Sequence, residues 1–137
     1  MPTVESSPSV IPSLGVGTFR LKDDEAYNSV TMALDIGYRH IDTAQIYKNE
    51  AVVGRAIKDS PVPREDIFVT TKVWNDKLNR THFVESVEDS LRKLQLSYVD
   101  LLLIHWPSPE HGKSMQEYLG EILRVKELGL AKNIGIS

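Results

Sequence analysis

Short apolar runs with β character alternate with amphipathic helical stretches along most of this sequence, and that rhythm restricts the chain to a parallel α/β fold. The runs are LGVGT (14–18), YRHID (38–42), IFVTTK (67–72), YVDLLLIH (98–105) and NIGIS (133–137). Helical patterns fill the spaces between them, from Asp24 to Gly37, Asn49 to Ser60, Thr81 to Leu94 and Ser114 to Leu128. Ala26, Val30, Ala33 and Leu34 form one apolar stripe, Val84, Val87, Leu91 and Leu94 a second, and Tyr118, Leu119, Ile122 and Leu123 a third, each able to pack on a sheet. The run LLLI is apolar throughout, as a strand covered on both faces should be. Asp23 or Asp24 is placed to cap the first helix and Thr81 the third, while Gly37 and Gly129 fall where helices should end. Five strands joined by four right-handed crossover helices are predicted, either doubly wound or curled into a barrel. Residues 1–12, rich in Pro and Ser, read as an extended lead-in, and 13–137 as one domain.

Composition narrows the function. With a net charge of −3 and Lys and Arg dispersed among Asp and Glu, no basic stripe offers itself to nucleic acid. The absence of cysteine excludes a disulfide framework and a thiolate metal site, so cytoplasm is the default compartment. No basic-then-apolar leader opens the chain, and no run approaches the ~18 apolar residues of a membrane helix.

Several motifs fail on their chemistry. In GVGTFR, Arg20 stands where a dinucleotide fingerprint needs its third glycine, beyond Gly15 and Gly17. Gly112, Lys113 and Ser114 mimic the end of a phosphate loop, yet Pro107 occupies the place of its first glycine; these residues read as a helix start. Asn79, Arg80 and Thr81 spell a glycosylation acceptor, but capping by Thr81 explains them without a secretion signal. His40, His82 and His111 lack metal-ligand spacing.

What survives is a set of polar residues at the C-terminal ends of apolar strands: Thr18, Asp42, Lys72, His105 and Ser137. Ligands of parallel α/β folds bind at that rim. Singly, Asp42 reads as a loop cap, Tyr47 as a core aromatic, Lys72 as a snorkelling surface cation and His105 as a hydrogen-bonded edge histidine. Confinement of the whole set to one rim turns it into a candidate site, to which Trp74 and Trp106, each just past its strand, add apolar walls.

The segments GVGTFR (15–20), GYRHIDTAQIYKNEAVVG (37–54), VTTKVW (69–74), LLLIHWPSP (101–109) and NIGIS (133–137) together resemble the aldo-keto reductases, in order and in spacing. The likeness covers nearly all of the chain after Pro12, and it is strongest to bacterial members of the 2,5-diketo-gluconate reductase kind, which act on diketo-sugar acids and small dicarbonyls. It implies a (β/α)8 barrel, here incomplete, and reduction of an aldehyde or ketone by hydride from NADPH. Tyr47 matches the family's proton donor, Lys72 the cation beside it, Asp42 the carboxylate that keeps the lysine charged, and His105 the histidine that orients the carbonyl. Since a free tyrosine holds its proton to about pH ~10, such a cation makes the proton easier to give. By the same resemblance Trp74, His105 and Trp106 line the substrate pocket, Gly17, Thr18 and Asp42 lie by the nicotinamide ribose, and Ser137 begins the pair that holds the carboxamide.

A barrel of this kind takes about 250 residues, and five strands do not close one. Weak cofactor binding and self-association through open sheet edges are therefore expected. The alternative reading is a truncated, catalytically inactive half-barrel acting only as a binding, structural or self-assembling fragment.

Overall fold

Gly37 and Gly129 carry φ values of 105° and 76°. These are left-handed conformations in which a Cβ would be strained, and each lets the chain leave a helix and turn toward the next strand. The computed structural model describes residues 3–6, 9–107 and 115–137. Gly112, Lys113, Ser114 and His111 lie outside them.

Strands β1 (Thr3–Ser6) and β2 (Ser9–Pro12) pair antiparallel, Thr3 opposite Pro12, so the extended lead-in folds back on itself as a hairpin. Then come β3 (Val16–Gly17), α1 (Asp23–Asp35), β4 (His40–Asp42), α2 (Glu50–Asp59), β5 (Phe68–Val73), α3 (Phe83–Leu94), β6 (Val99–Ile104), α4 (Met115–Glu127) and β7 (Ala131–Ile136). From β3 to β7 every adjacent pair is parallel and the strand order follows the chain, β3-β4-β5-β6-β7. The expected five strands and four helices are present, with the sequential order of a barrel wall.

The two faces of the sheet differ. Ile41, Val69, Val73, Leu102 and Ile104 are buried in one core with Val53, Ile57, Phe83, Val87, Leu91, Tyr118 and Val125 of the helices. Because side chains alternate along a strand, the opposite face carries His40, Asp42, Thr70 and Lys72, with Leu101 and Leu103 only half-buried. The LLLI run is thus not covered equally on both faces.

Two caps differ from expectation. Lys22 occupies the cap position of α1, and Asp23 and Asp24 lie one step further, in the first turn, where their charge favours the helix N-terminus without a capping bond. His82, not Thr81, precedes α3, and its N–H is satisfied by Asn79 Oδ1 at 2.9 Å. Beneath the sheet, Asp100 Oδ2 accepts from Arg64 Nη2 at 2.8 Å and from the Val69 N–H at 2.9 Å, locking the starts of β5 and β6 together. Among the described residues no helix is long and apolar enough to cross a membrane.

Candidate functional site

The ladder brings the strand ends to a common rim. Gly17 pairs with Asp42, Asp42 with Thr70, and Lys72 with Leu103. After Asp42 the chain makes a 3-10 turn, Gln45–Tyr47, closed by the Tyr47 N–H on Ala44 O and followed by Lys48 at φ 56°. This turn folds Tyr47 back over the end of β5.

Lys72 is 6% exposed, and its ammonium spends its three hydrogens on three oxygens. They are Asp42 Oδ2 at 2.8 Å, Thr43 O at 3.0 Å and Tyr47 Oη at 3.4 Å. The Tyr47 ring lies 5.2 Å from that of Phe19 and 5.8 Å from that of His105, with Lys72 Nζ 5.0 Å from its centroid. Trp74 meets His105 edge-on at 5.2 Å, and Trp106 stacks on the other side at 6.3 Å while remaining 58% exposed. Aspartate, lysine, tyrosine, histidine and both tryptophans therefore form one cluster. A buried cation is held against a phenol hydroxyl, with aromatic walls on one side.

Burial, reinforced by the Lys72 cation and opposed by Asp42, holds the His105 imidazolium below the ordinary histidine value. The ring is therefore neutral at pH 7. Its Cε1–H resonance is expected to titrate with a midpoint below about 6.5 in an NMR pH series; a midpoint above that would reverse the assigned balance of burial and charge. His105 Nδ1 is buried and meets no partner among the described residues, which leaves Nε2 as the nitrogen able to face a ligand.

The residues assigned to a cofactor separate on inspection. Gly17 is exposed, and a Cβ there would meet nothing within 4 Å, so its backbone is open to close approach. Ser137 is exposed at the end of β7, its N–H on Ile104 O. Thr18, by contrast, is fully buried and directs both its hydroxyl and its N–H at Asp42 O, each at 3.0 Å. It anchors the backbone of Asp42. Among the described residues no group of three or more His, Asp or Glu is assembled for a metal.

Three polar residues behind the site were not anticipated. Asn49, 2% exposed, accepts from Thr43 Oγ1 and donates to the carbonyls of Thr18 and Leu21, clamping the loops after β3 and β4 to each other. Gln45 reaches from the 3-10 turn to α3 and to the Trp74 N–H. Glu50 accepts from Thr71 Oγ1 at 2.7 Å and Ser90 Oγ at 3.3 Å. Only Glu50 had a readable signal, since with Val53 and Ile57 it sits at helical spacing on an apolar stripe.

Desolvation raises the Glu50 carboxyl above the ordinary carboxylate value, with the Thr71 and Ser90 bonds opposing. A raised value means that the native state binds this proton more readily than the unfolded chain. Its stabilising contribution is complete below about pH 4.3 and is lost as pH rises through the raised value. Glu50→Gln should therefore show a smaller fall in stability between pH 5 and pH 7 than the parent chain, read from urea unfolding. Equal slopes would show that Glu50 does not carry the effect.

Residues 13–137 match the Aldo/keto reductase family, and the chain belongs to it. It is 53% identical over 127 residues to methylglyoxal reductase DkgB of Escherichia coli O157:H7, covering 93% of this chain and 48% of that protein. The chain thus spans about half the length of the curated relatives it matches. In structure it superimposes on an aldo/keto reductase from Brucella melitensis with a TM-score of 0.92 and 45% identity, over 98% of this chain and 53% of that one. A Bombyx mori aldo-keto reductase in complex with NADP gives 0.84 and 38%, over 98% and 50%. The five-stranded sheet is accordingly part of a (β/α)8 barrel wall.

Proposed function

We propose that this chain carries the proton-donating part of a carbonyl-reducing site, acting on small dicarbonyls or keto-sugar acids with NADPH as the reductant. The observation that carries the reading is the Lys72 ammonium held between Asp42 Oδ2 and Tyr47 Oη. As the substrate carbonyl becomes an alkoxide, its oxygen takes the Tyr47 proton, and Lys72 stabilises the phenolate left behind. Asp42 pairs with the buried ammonium and holds it in place through that step. Neutral His105 donates through Nε2 to the carbonyl oxygen and fixes its direction, while Trp74 and Trp106 exclude water from one flank.

Gly17 and Ser137 are open at the rim and would face a nicotinamide group, with Asp42 beside them and Thr18 holding the Asp42 backbone. When bound, the reduced nicotinamide supplies the hydride. A cytoplasmic setting goes with an NADPH-dependent reaction. The test is NADPH oxidation by the purified chain with methylglyoxal or a diketo-sugar acid, repeated on a chain extended to the length of its relatives. Turnover by either is the expected result; none by either would sink the enzyme reading.

A second reading, self-association without catalysis, is favoured by the half-buried Leu101 and Leu103 face and by β3 and β7 standing at the ends of the sheet. Light scattering should then show species larger than one chain. A monomer at all concentrations would exclude it.

A further inference from the structure

We infer that Gln45 is a positioning residue for the candidate site, its amide fastening the Trp74 wall to α3 and so setting the width of the substrate side. The inference rests on the reading of Trp74 as a substrate wall. Trp74 is the first residue past β5, and its N–H points to the β4 edge, where pairing ends at Asp42 opposite Thr70, so no ladder carbonyl is provided for it. Gln45 Oε1 takes that N–H at 3.0 Å.

The other end of the same amide is held by α3. Gln45 Nε2 lies 3.2 Å from Ser86 O, 3.1 Å from Ser86 Oγ and 3.2 Å from Ser90 Oγ, two serines one turn apart on a single helix face. Ser86 Oγ donates to Phe83 O, and Ser90 Oγ donates to Glu50, so both hydroxyls meet Gln45 as acceptors. Reversing the amide would set oxygen against the Ser86 carbonyl and an NH2 against the Trp74 N–H. Its orientation is therefore determined by its neighbours. On the outer flank, a groove of about 690 Å³ is lined by Gln45 and Trp74 together with His82 and Ser86. With that space on one side and His105 edge-on to its ring, Trp74 has its backbone N–H fixed by the Gln45 bond.

The decisive readout is amide hydrogen exchange by NMR on the chain itself. Gln45→Met, of similar length but without hydrogen bonds, should speed exchange of the Trp74 amide about tenfold relative to the β5–β6 ladder amides. Gln45→Glu keeps an acceptor for Trp74 but sets a carboxylate oxygen against Ser86 O, so it should protect the Trp74 amide less than the parent glutamine does. Unchanged Trp74 exchange in Gln45→Met, or an increase shared equally with the ladder amides, would overturn the inference.

In an NADPH assay, Gln45→Met should also shift the ratio of kcat/KM for methylglyoxal over benzaldehyde, by about fivefold. Turnover with an unshifted ratio would remove the role in specificity. Absence of turnover in the unsubstituted chain would count against the proposed function, while the exchange result would still decide whether Gln45 holds Trp74.

Discussion

Tyr47→Phe is expected to lower kcat for NADPH-dependent methylglyoxal reduction by about 10²- to 10⁴-fold, the usual contribution of a positioned proton donor. The substitution removes one oxygen and keeps the ring. Contacts to Phe19 at 5.2 Å, His105 at 5.8 Å and Lys72 Nζ at 5.0 Å are all ring contacts, so the aromatic cluster should persist. The lost hydroxyl lies 3.4 Å from Lys72, the longest of the three ammonium contacts, and Asp42 and Thr43 still hold the cation. Unfolding free energy should accordingly change by less than about 1 kcal/mol. The loss must therefore appear in kcat rather than in the folded fraction. Turnover by the variant within twofold of the parent would defeat the assignment of Tyr47 as proton donor.

Gly54→Ala is expected to destabilise the fold by about 1–3 kcal/mol, and Gly120→Ala to stabilise it by up to about 1 kcal/mol. Both glycines lie inside helices, α2 and α4, where alanine is ordinarily the better residue. A Cβ on Gly54 would stand 2.6 Å from the carbonyl carbon and Cα of Leu94, with the Leu94 oxygen also in its way. Those atoms are backbone at the end of α3, and moving them would pull Leu91 and Leu94 from the core they share with Val53 and Ile57. A Cβ on Gly120 would meet nothing within 4 Å, so only the helix preference remains. Urea midpoints of the two variants should move in opposite directions. A Gly54→Ala midpoint at or above the parent's would show that α2 and α3 can separate without cost.

The helices and most strand positions were legible because their signal is local. Val53, Ala56 and Ile57, or Val87, Leu91 and Leu94, repeat at the helical period whatever they later touch, and all are buried. Asp42, Lys72 and His105 could be found because polar residues interrupt apolar strands at equivalent points, and a parallel sheet brings such points to one rim. Thr18 ends its strand like the others, but only the structure shows its hydroxyl turned onto the Asp42 carbonyl. The expectation of Thr81 as a helix cap failed because the turn before α3 runs one residue further, leaving the His82 N–H to Asn79. Neither outcome is written in the neighbouring residues.

By itself, the sequence determined the alternation of elements, the parallel sheet and the identity of the polar residues at its rim, since each follows from periodicities a few residues long. The tertiary structure alone decided which of those residues face one another. Lys72 reaches Asp42 across 30 positions and Tyr47 across 25, while Gln45 reaches Ser90 across 45. Most buried polar atoms find a partner, and that partner is supplied by whichever distant segment the packing brings near. For the same reason Asn49 and Gln45 became visible as supports of the site only when the strands and helices stood side by side.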